Sequence, residues 1–76
     1  MNLYVGGHLD IYLSPHRSCV EMELAQPTGL IEILARLGIP SEEVTLVVIN
    51  GQLVELSGAI VTNSDDVKLF PSVSGG

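Results

Sequence analysis

Residues 65–76 read Asp65-Asp66-Val67-Lys68-Leu69-Phe70-Pro71-Ser72-Val73-Ser74-Gly75-Gly76. Asp66 to Phe70 predicts the last strand. Side chains alternate faces along a strand, so Val67 and Leu69 turn to a core while Asp66, Lys68 and Phe70 turn the other way. The apolar side needs neighbours on both flanks, which places this strand centrally in a sheet. From Pro71 onward nothing remains to pack, and a flexible tail over 71–76 is expected behind a domain of residues 1–70.

Working back from that strand, Ser57 to Ser64 reads as loop, with Gly58 and Asn63-Ser64-Asp65 as turn residues. Val44 to Ile49 is an apolar, β-branched run, expected as a strand with both faces covered or nearly so. Asn50-Gly51 is a strong hairpin signal and returns the chain through Gln52 to Glu55. A short helix is expected over Thr28 to Leu37, with Thr28 as N-cap and Leu30, Ile31, Leu34 and Leu37 as its apolar face. Gly38 suits the residue after the helix, Ile39 can pack back on the last turn, and Pro40 forbids continuation. Cys19 to Leu24 alternates, with Val20, Met22 and Leu24 facing inward and Cys19, Glu21 and Glu23 outward. Ser14-Pro15-His16-Arg17 is a turn and Asn2 to Gly6 a strand. His8 to Leu13 fits either a strand or a helical turn. One helix over one face of a mixed four- to five-stranded sheet is a two-layer α+β domain. With the last strand parallel to the first beneath the helix, the arrangement is a β-grasp.

Size and charge bound the function. The chain has 76 residues and a formal charge of -6, with nine acids against Lys68, Arg17 and Arg36. A domain this small buries only about 60% of its unfolded surface and cannot also enclose a substrate pocket, so a self-contained enzyme is not expected. The absence of a basic patch argues against nucleic acid and anionic membranes as partners. Yet 46% of the residues are hydrophobic and the mean hydropathy is +0.43, so apolar surface should remain for a partner. The lone Cys19 gives no disulfide framework, the first ten residues lack a signal pattern, and no apolar run is long enough to span a bilayer; a cytoplasmic protein is expected.

Side-chain chemistry is sparse. His8, His16 and Cys19 have no metal-ligand spacing, and the two histidines read as surface or loop residues. Cys19 shares a strand face with Glu21 and Glu23, whose charges disfavour the thiolate, so it reads as inert. Glu42-Glu43 and Asp65-Asp66 read as solvated acid pairs at turns and strand edges.

The Pro27-Thr28-Gly29-Leu30 and Leu37-Gly38-Ile39-Pro40 ends of the helix, the Val48-Ile49-Asn50-Gly51 hairpin and the stretch from Asp65 to Gly76 together resemble the ubiquitin-like sulfur carriers. The resemblance covers essentially the whole chain. It lies closest to the MoaD-like small subunit of molybdopterin synthase, with the ThiS carriers of thiamine biosynthesis as sister branch. Ser72 stands where that branch commonly has a second proline. The resemblance implies an irregular or short helical link over His8 to Leu13.

It also implies that Gly76, preceded by Gly75, carries the chemistry. Its carboxylate would be adenylated by an ATP-dependent partner, then converted by sulfide or a persulfide to a thiocarboxylate that donates sulfur. No cofactor is expected on the chain itself, since ATP serves the activating partner. That partner would be an adenylyltransferase resembling ubiquitin-activating enzymes, of the MoaB, ThiF or MoeB type. The second partner would be a molybdopterin synthase large subunit of the MoaE type or a thiazole synthase. Glycine lacks Cβ and can thread a narrow channel, and six residues from Pro71 reach at most roughly 20 Å. Phe70, Pro71, Val73, Lys68 and Asp66 are the expected docking residues. The alternatives are a ThiS-type sulfur carrier for thiamine thiazole synthesis and a ubiquitin-like protein modifier conjugated to lysines through Gly76.

Overall fold

The computed structural model describes residues 1–13 and 17–72. Seven strands and one α-helix follow in the order β1 (Asn2–Val5), β2 (Cys19–Glu21), β3 (Thr28–Gly29), α1 (Leu30–Leu37), β4 (Val44–Ile49), β5 (Gln52–Val54), β6 (Ile60–Val61) and β7 (Asp66–Pro71). Five of them form one mixed sheet in the order β2-β1-β7-β4-β5, and β3 pairs with β6 in a separate ladder. β7 lies at the centre, parallel to β1 with Leu3 opposite Val67 and Val5 opposite Leu69. This is the β-grasp expected from the sequence.

The core sits between the sheet and α1. Leu3, Val5, Val47, Val67 and Leu69 from the sheet are sealed, as are Leu30, Ile33 and Leu34 from the helix. Each buried side chain of this size stabilises by about 1.5–3 kcal/mol relative to exposure. Leu9, Leu13, Leu24, Ile39 and Val61 close the ends. Leu9 reaches the core from a 3-10 helix over Gly7–Tyr12, so the link before β2 is helical rather than strand. The turn expected over Ser14 to Arg17 lies outside the described residues except at Arg17. Among the described residues no helix is long and apolar enough to cross a membrane.

Several expectations are corrected. α1 begins at Leu30 with Gly29 as N-cap, and Thr28 caps nothing. β6 recruits Thr28 and Gly29 into a ladder, so the Thr28 hydroxyl donates to Gln26 O at 3.0 Å. The Leu30 amide is satisfied by Ala59 O at 2.9 Å instead. The buried stripe is Leu30, Ile33 and Leu34, with Leu37 partly buried, while Ile31 is exposed. That set keeps the spacing i, i+3, i+4, i+7, whereas Ile31 falls a quarter-turn away. β2 stops at Glu21 because its partner strand runs out: Met1 and Met22 still exchange backbone hydrogen bonds, at 2.8 and 3.0 Å, and beyond Met22 the chain has no residue of β1 to pair with. Leu24 is buried as expected, but its amide donates to the Asn63 side chain at 2.8 Å. The segment 57–64 holds a second-sheet strand, Ile60–Val61, rather than loop throughout.

The close of α1 follows the sequence. Gly38 takes φ 77°, ψ 20° and its amide donates to Ala35 O, and the Ile39 amide donates to Leu34 O at 2.9 Å. Those are the paired bonds of a Schellman motif, with Ile39 buried against the helix end. Asn50 and Gly51 take φ 52° and 82°, the left-handed pair that a two-residue hairpin requires.

Candidate functional site

One face of the sheet is covered by α1 and the other is open. Register places Lys68 of β7 opposite Tyr4 of β1 and opposite Val48 of β4. Val48 in turn faces Leu53 of β5. Leu46 lies opposite Phe70. Tyr4 is 39% exposed, Leu46 45% and Leu53 68%, an apolar surface with one ammonium at its centre. β4 was expected to be covered on both faces or nearly so, but Leu46 is exposed because, among the described residues, no second layer packs on this side.

A bulge sharpens that exposure. Val44 pairs with Pro71 and Leu46 with Phe70, so Thr45 is an extra residue. Bulges reset alternation and bend the strand. Val44 and Val47 are therefore both buried while Thr45 and Leu46 are both exposed.

The face has two unlike ends. Phe70 is half-buried, its ring 6.1 Å from that of Tyr4 at an interplanar angle of 56°. It lies against Gly6, where a Cβ would come within 2.7 Å of Phe70 Cδ1. The aromatic thus leans over β1 on the open face, outside the helix-side core. At the other end Asp66 and Glu21 flank Asn2, and Asn2 Nδ2 donates to Asp66 Oδ1 at 3.2 Å. The apolar end is the one from which the chain leaves β7.

The expected docking residues are brought together in part. Asp66, Lys68 and Phe70 share the open face, and Pro71 extends β7 one residue past the expected end. Val73, Gly75 and Gly76 lie outside the described residues, as does His16. Tyr4 and Leu53 were missed by sequence reasoning. The alternation of Asn2 to Val5 held the signal for Tyr4, since the strand paired with β7 must present every second residue beside Lys68.

The remaining candidates serve the fold. The two side-chain oxygens of Asp65 accept from Asn50 Nδ2 at 2.9 Å and from the Thr62 amide at 2.8 Å. These bonds, that from Asn50 foremost, hold its carboxyl below the usual carboxylate range. Asp65 is therefore a structural acid, not a free charge for a partner. Glu43 Oε1 lies 3.1 Å from His8 Nε2 and accepts from the Tyr12 hydroxyl at 3.4 Å, which joins the 3-10 link to the turn before β4. Desolvation, then the Glu43 carboxylate, raises the Tyr12 pKa above its ordinary value. Cys19 is exposed on the edge strand.

A five-stranded mixed sheet with one main helix on one face is the build of a ubiquitin-like β-grasp protein. The family comparison agrees: the ThiS family model matches residues 11–76. The chain belongs to the ThiS family, whose members are sulfur carriers rather than enzymes. Carriers of this family generally pair with adenylyltransferases and synthase subunits. No curated protein matches the chain.

Proposed function

We propose that the chain is a cytoplasmic sulfur carrier that works through the carboxylate of Gly76, with Pro71 to Gly76 as its tail. An adenylyltransferase docks the open sheet face and admits the tail. A carboxylate oxygen attacks the α-phosphorus of ATP and pyrophosphate leaves, which turns a poor electrophile into an acyl-adenylate. Hydrosulfide then adds at the carbonyl carbon and AMP departs, leaving the thiocarboxylate. A persulfide donor serves equally once a thiol cleaves the resulting S–S bond. The chain contributes reach and recognition, and its partners contribute catalysis.

The observation that carries this reading is the placement of Phe70 and Leu46 together on bare sheet, at the mouth of the segment that ends Gly75-Gly76. Apolar anchors at the root of a tail let a partner hold the body while the terminus enters its active site. Asp66 and Glu21 at the far end give the docking a fixed sense against a partner with basic groups there.

For the receiving pathway, the Phe70-Pro71-Ser72-Val73-Ser74-Gly75-Gly76 ending supports molybdopterin synthesis, with this chain as the small subunit of a synthase. Supply of a thiazole synthase is the second reading, because the family match is common to both branches. Incubation with an adenylyltransferase of this family, ATP and sulfide should raise the intact mass by one oxygen exchanged for sulfur. The loaded protein should then lose that sulfur to a synthase large subunit and not to a thiazole synthase. Isopeptide conjugates on other proteins, with no mass gain, would instead make the chain a modifier.

A further inference from the structure

Gly6 and Gly7 lie beside the last two residues of β7. Val5 pairs with Leu69, the Gly6 amide donates to Leu69 O at 2.8 Å, and the chain turns away at Gly7 with φ 56°. A Cβ on Gly6 would stand 2.7 Å from Phe70 Cδ1, and one on Gly7 would stand 2.5 Å from Pro71 Cγ. On the opposite flank, Leu46 and Val44 pair with Phe70 and Pro71 across the bulge. Phe70 and Pro71 are thus held between β4 and the Gly6-Gly7 segment that follows β1, which lies this close because neither glycine carries a side chain, while Gly7 also takes a left-handed φ that L side chains rarely adopt.

The two contacts differ in kind. The Phe70 ring can rotate about its side-chain bonds and make room for a methyl group. The Pro71 ring is closed onto its own backbone nitrogen, so beyond a change of ring pucker Cγ retreats only if the main chain moves with it. A side chain at position 7 therefore redirects the backbone at Pro71 and Ser72. One at position 6 disturbs only the docking aromatic.

We propose that Gly7 is a positioning residue for sulfur loading: its bare Cα seats the Pro71 ring and so aims the chain from β7 toward the partner's adenylating centre. Gly6 has the separate task of setting the pose of Phe70 on the docking face. The proposal rests on the carrier reading above.

The test is a small set of full-length variants followed by intact-mass kinetics with an adenylyltransferase, ATP and sulfide. Gly7→Ala should lower kcat by about ten- to a hundredfold and leave KM within about threefold, because the body still docks while the terminus is misaimed. In a Pro71→Gly background the same Gly7→Ala change should cost at least about threefold less, since the clashing ring is gone and only the strain of a left-handed alanine remains. Gly6→Ala should do the reverse, raising KM with kcat held. An unchanged kcat in Gly7→Ala, or a loss that is undiminished in the Pro71→Gly background, overturns the proposal.

Residual dipolar couplings of the Ser72 amide give a reading that needs no activity. They should shift in Gly7→Ala while those of β1 and β4 stay put, and an unshifted coupling also overturns it. Should Gly7→Ala fail to fold, Pro71→Gly alone decides: a fall in kcat with KM held supports the seat, and an unchanged kcat refutes it. Wild-type protein that gains no sulfur at all defeats the carrier reading, while the Ser72 couplings still decide the role of Gly7.

Discussion

The Asn50 carboxamide bridges the β4–β5 hairpin to the turn before β7, donating to Asp65 Oδ1 at 2.9 Å while its own oxygen accepts from the Asp66 amide at 3.0 Å. A third bond, from the Asn50 amide to Asp66 O at 2.8 Å, completes the clamp. The entry to the central strand is thereby fixed from a residue 15 positions upstream.

This clamp sets an acid dependence. The folded pKa of Asp65 lies below its unfolded value, so its contribution to stability is fully present above pH about 4 and is lost as pH falls through the folded value. Asn50→Gly keeps the positive φ and deletes the carboxamide, and should cost about 1 kcal/mol at neutral pH. Urea denaturation at neutral and strongly acidic pH checks it: wild type should lose more stability between the two than the variant. An equal loss in both would mean that Asp65 does not sense Asn50.

Phe70 on the open face predicts a split between binding and folding. Phe70→Ala should weaken adenylyltransferase binding by about tenfold or more, as loss of an aromatic anchor does. Its cost to stability should fall well short of the about 3–5 kcal/mol that the same change causes in a sealed core. Calorimetric titration beside a denaturant melt separates the two, and Leu46→Ser should follow the same pattern. A large loss of stability with unchanged binding would assign Phe70 to the fold alone.

Two neighbouring isoleucines of α1 should behave oppositely. Ile33 is fully buried and Ile31 is 45% exposed. Ile33→Ala should cost about 2–5 kcal/mol by deleting core contacts and leaving a cavity. Ile31→Ala should stay within about 0.5 kcal/mol, as surface changes do. Denaturant midpoints report both, and comparable losses would show that the helix buries a different face.

Deleting Gly76 should abolish sulfur loading and leave the denaturant midpoint unchanged, because the last buried residue among those described is Leu69. Intact mass after incubation with the activating enzyme, ATP and sulfide is the measure. A truncated chain that still gained sulfur would place the acceptor group elsewhere.

Features whose causes are local in sequence were legible. The alternation from Asp66 to Phe70, the Asn50-Gly51 turn and the Gly38-Ile39-Pro40 stop depend on neighbours within a few positions, and the structure has each. Thr28 failed for the converse reason: its own chemistry favours an N-cap, but β6, arriving more than thirty residues later, takes its backbone into a ladder. Ile31 and Ile33 are indistinguishable by composition, and only the seating of α1 on the sheet sorts them. The site was half-legible. Phe70 and Lys68 could be placed on the outer face from alternation, whereas Tyr4 and Leu53 joined them only through strand pairing.

The sequence by itself therefore determined a β-grasp with β7 at its centre and a Gly-Gly ending, because periodicity, turn chemistry and caps act over short range. Tertiary structure decided which apolar residues stay bare, where the bulge exposes Leu46, and how Gly6 and Gly7 hold Phe70 and Pro71. Those outcomes depend on the register between strands far apart in the chain, and register is set only when the whole sheet closes on the helix.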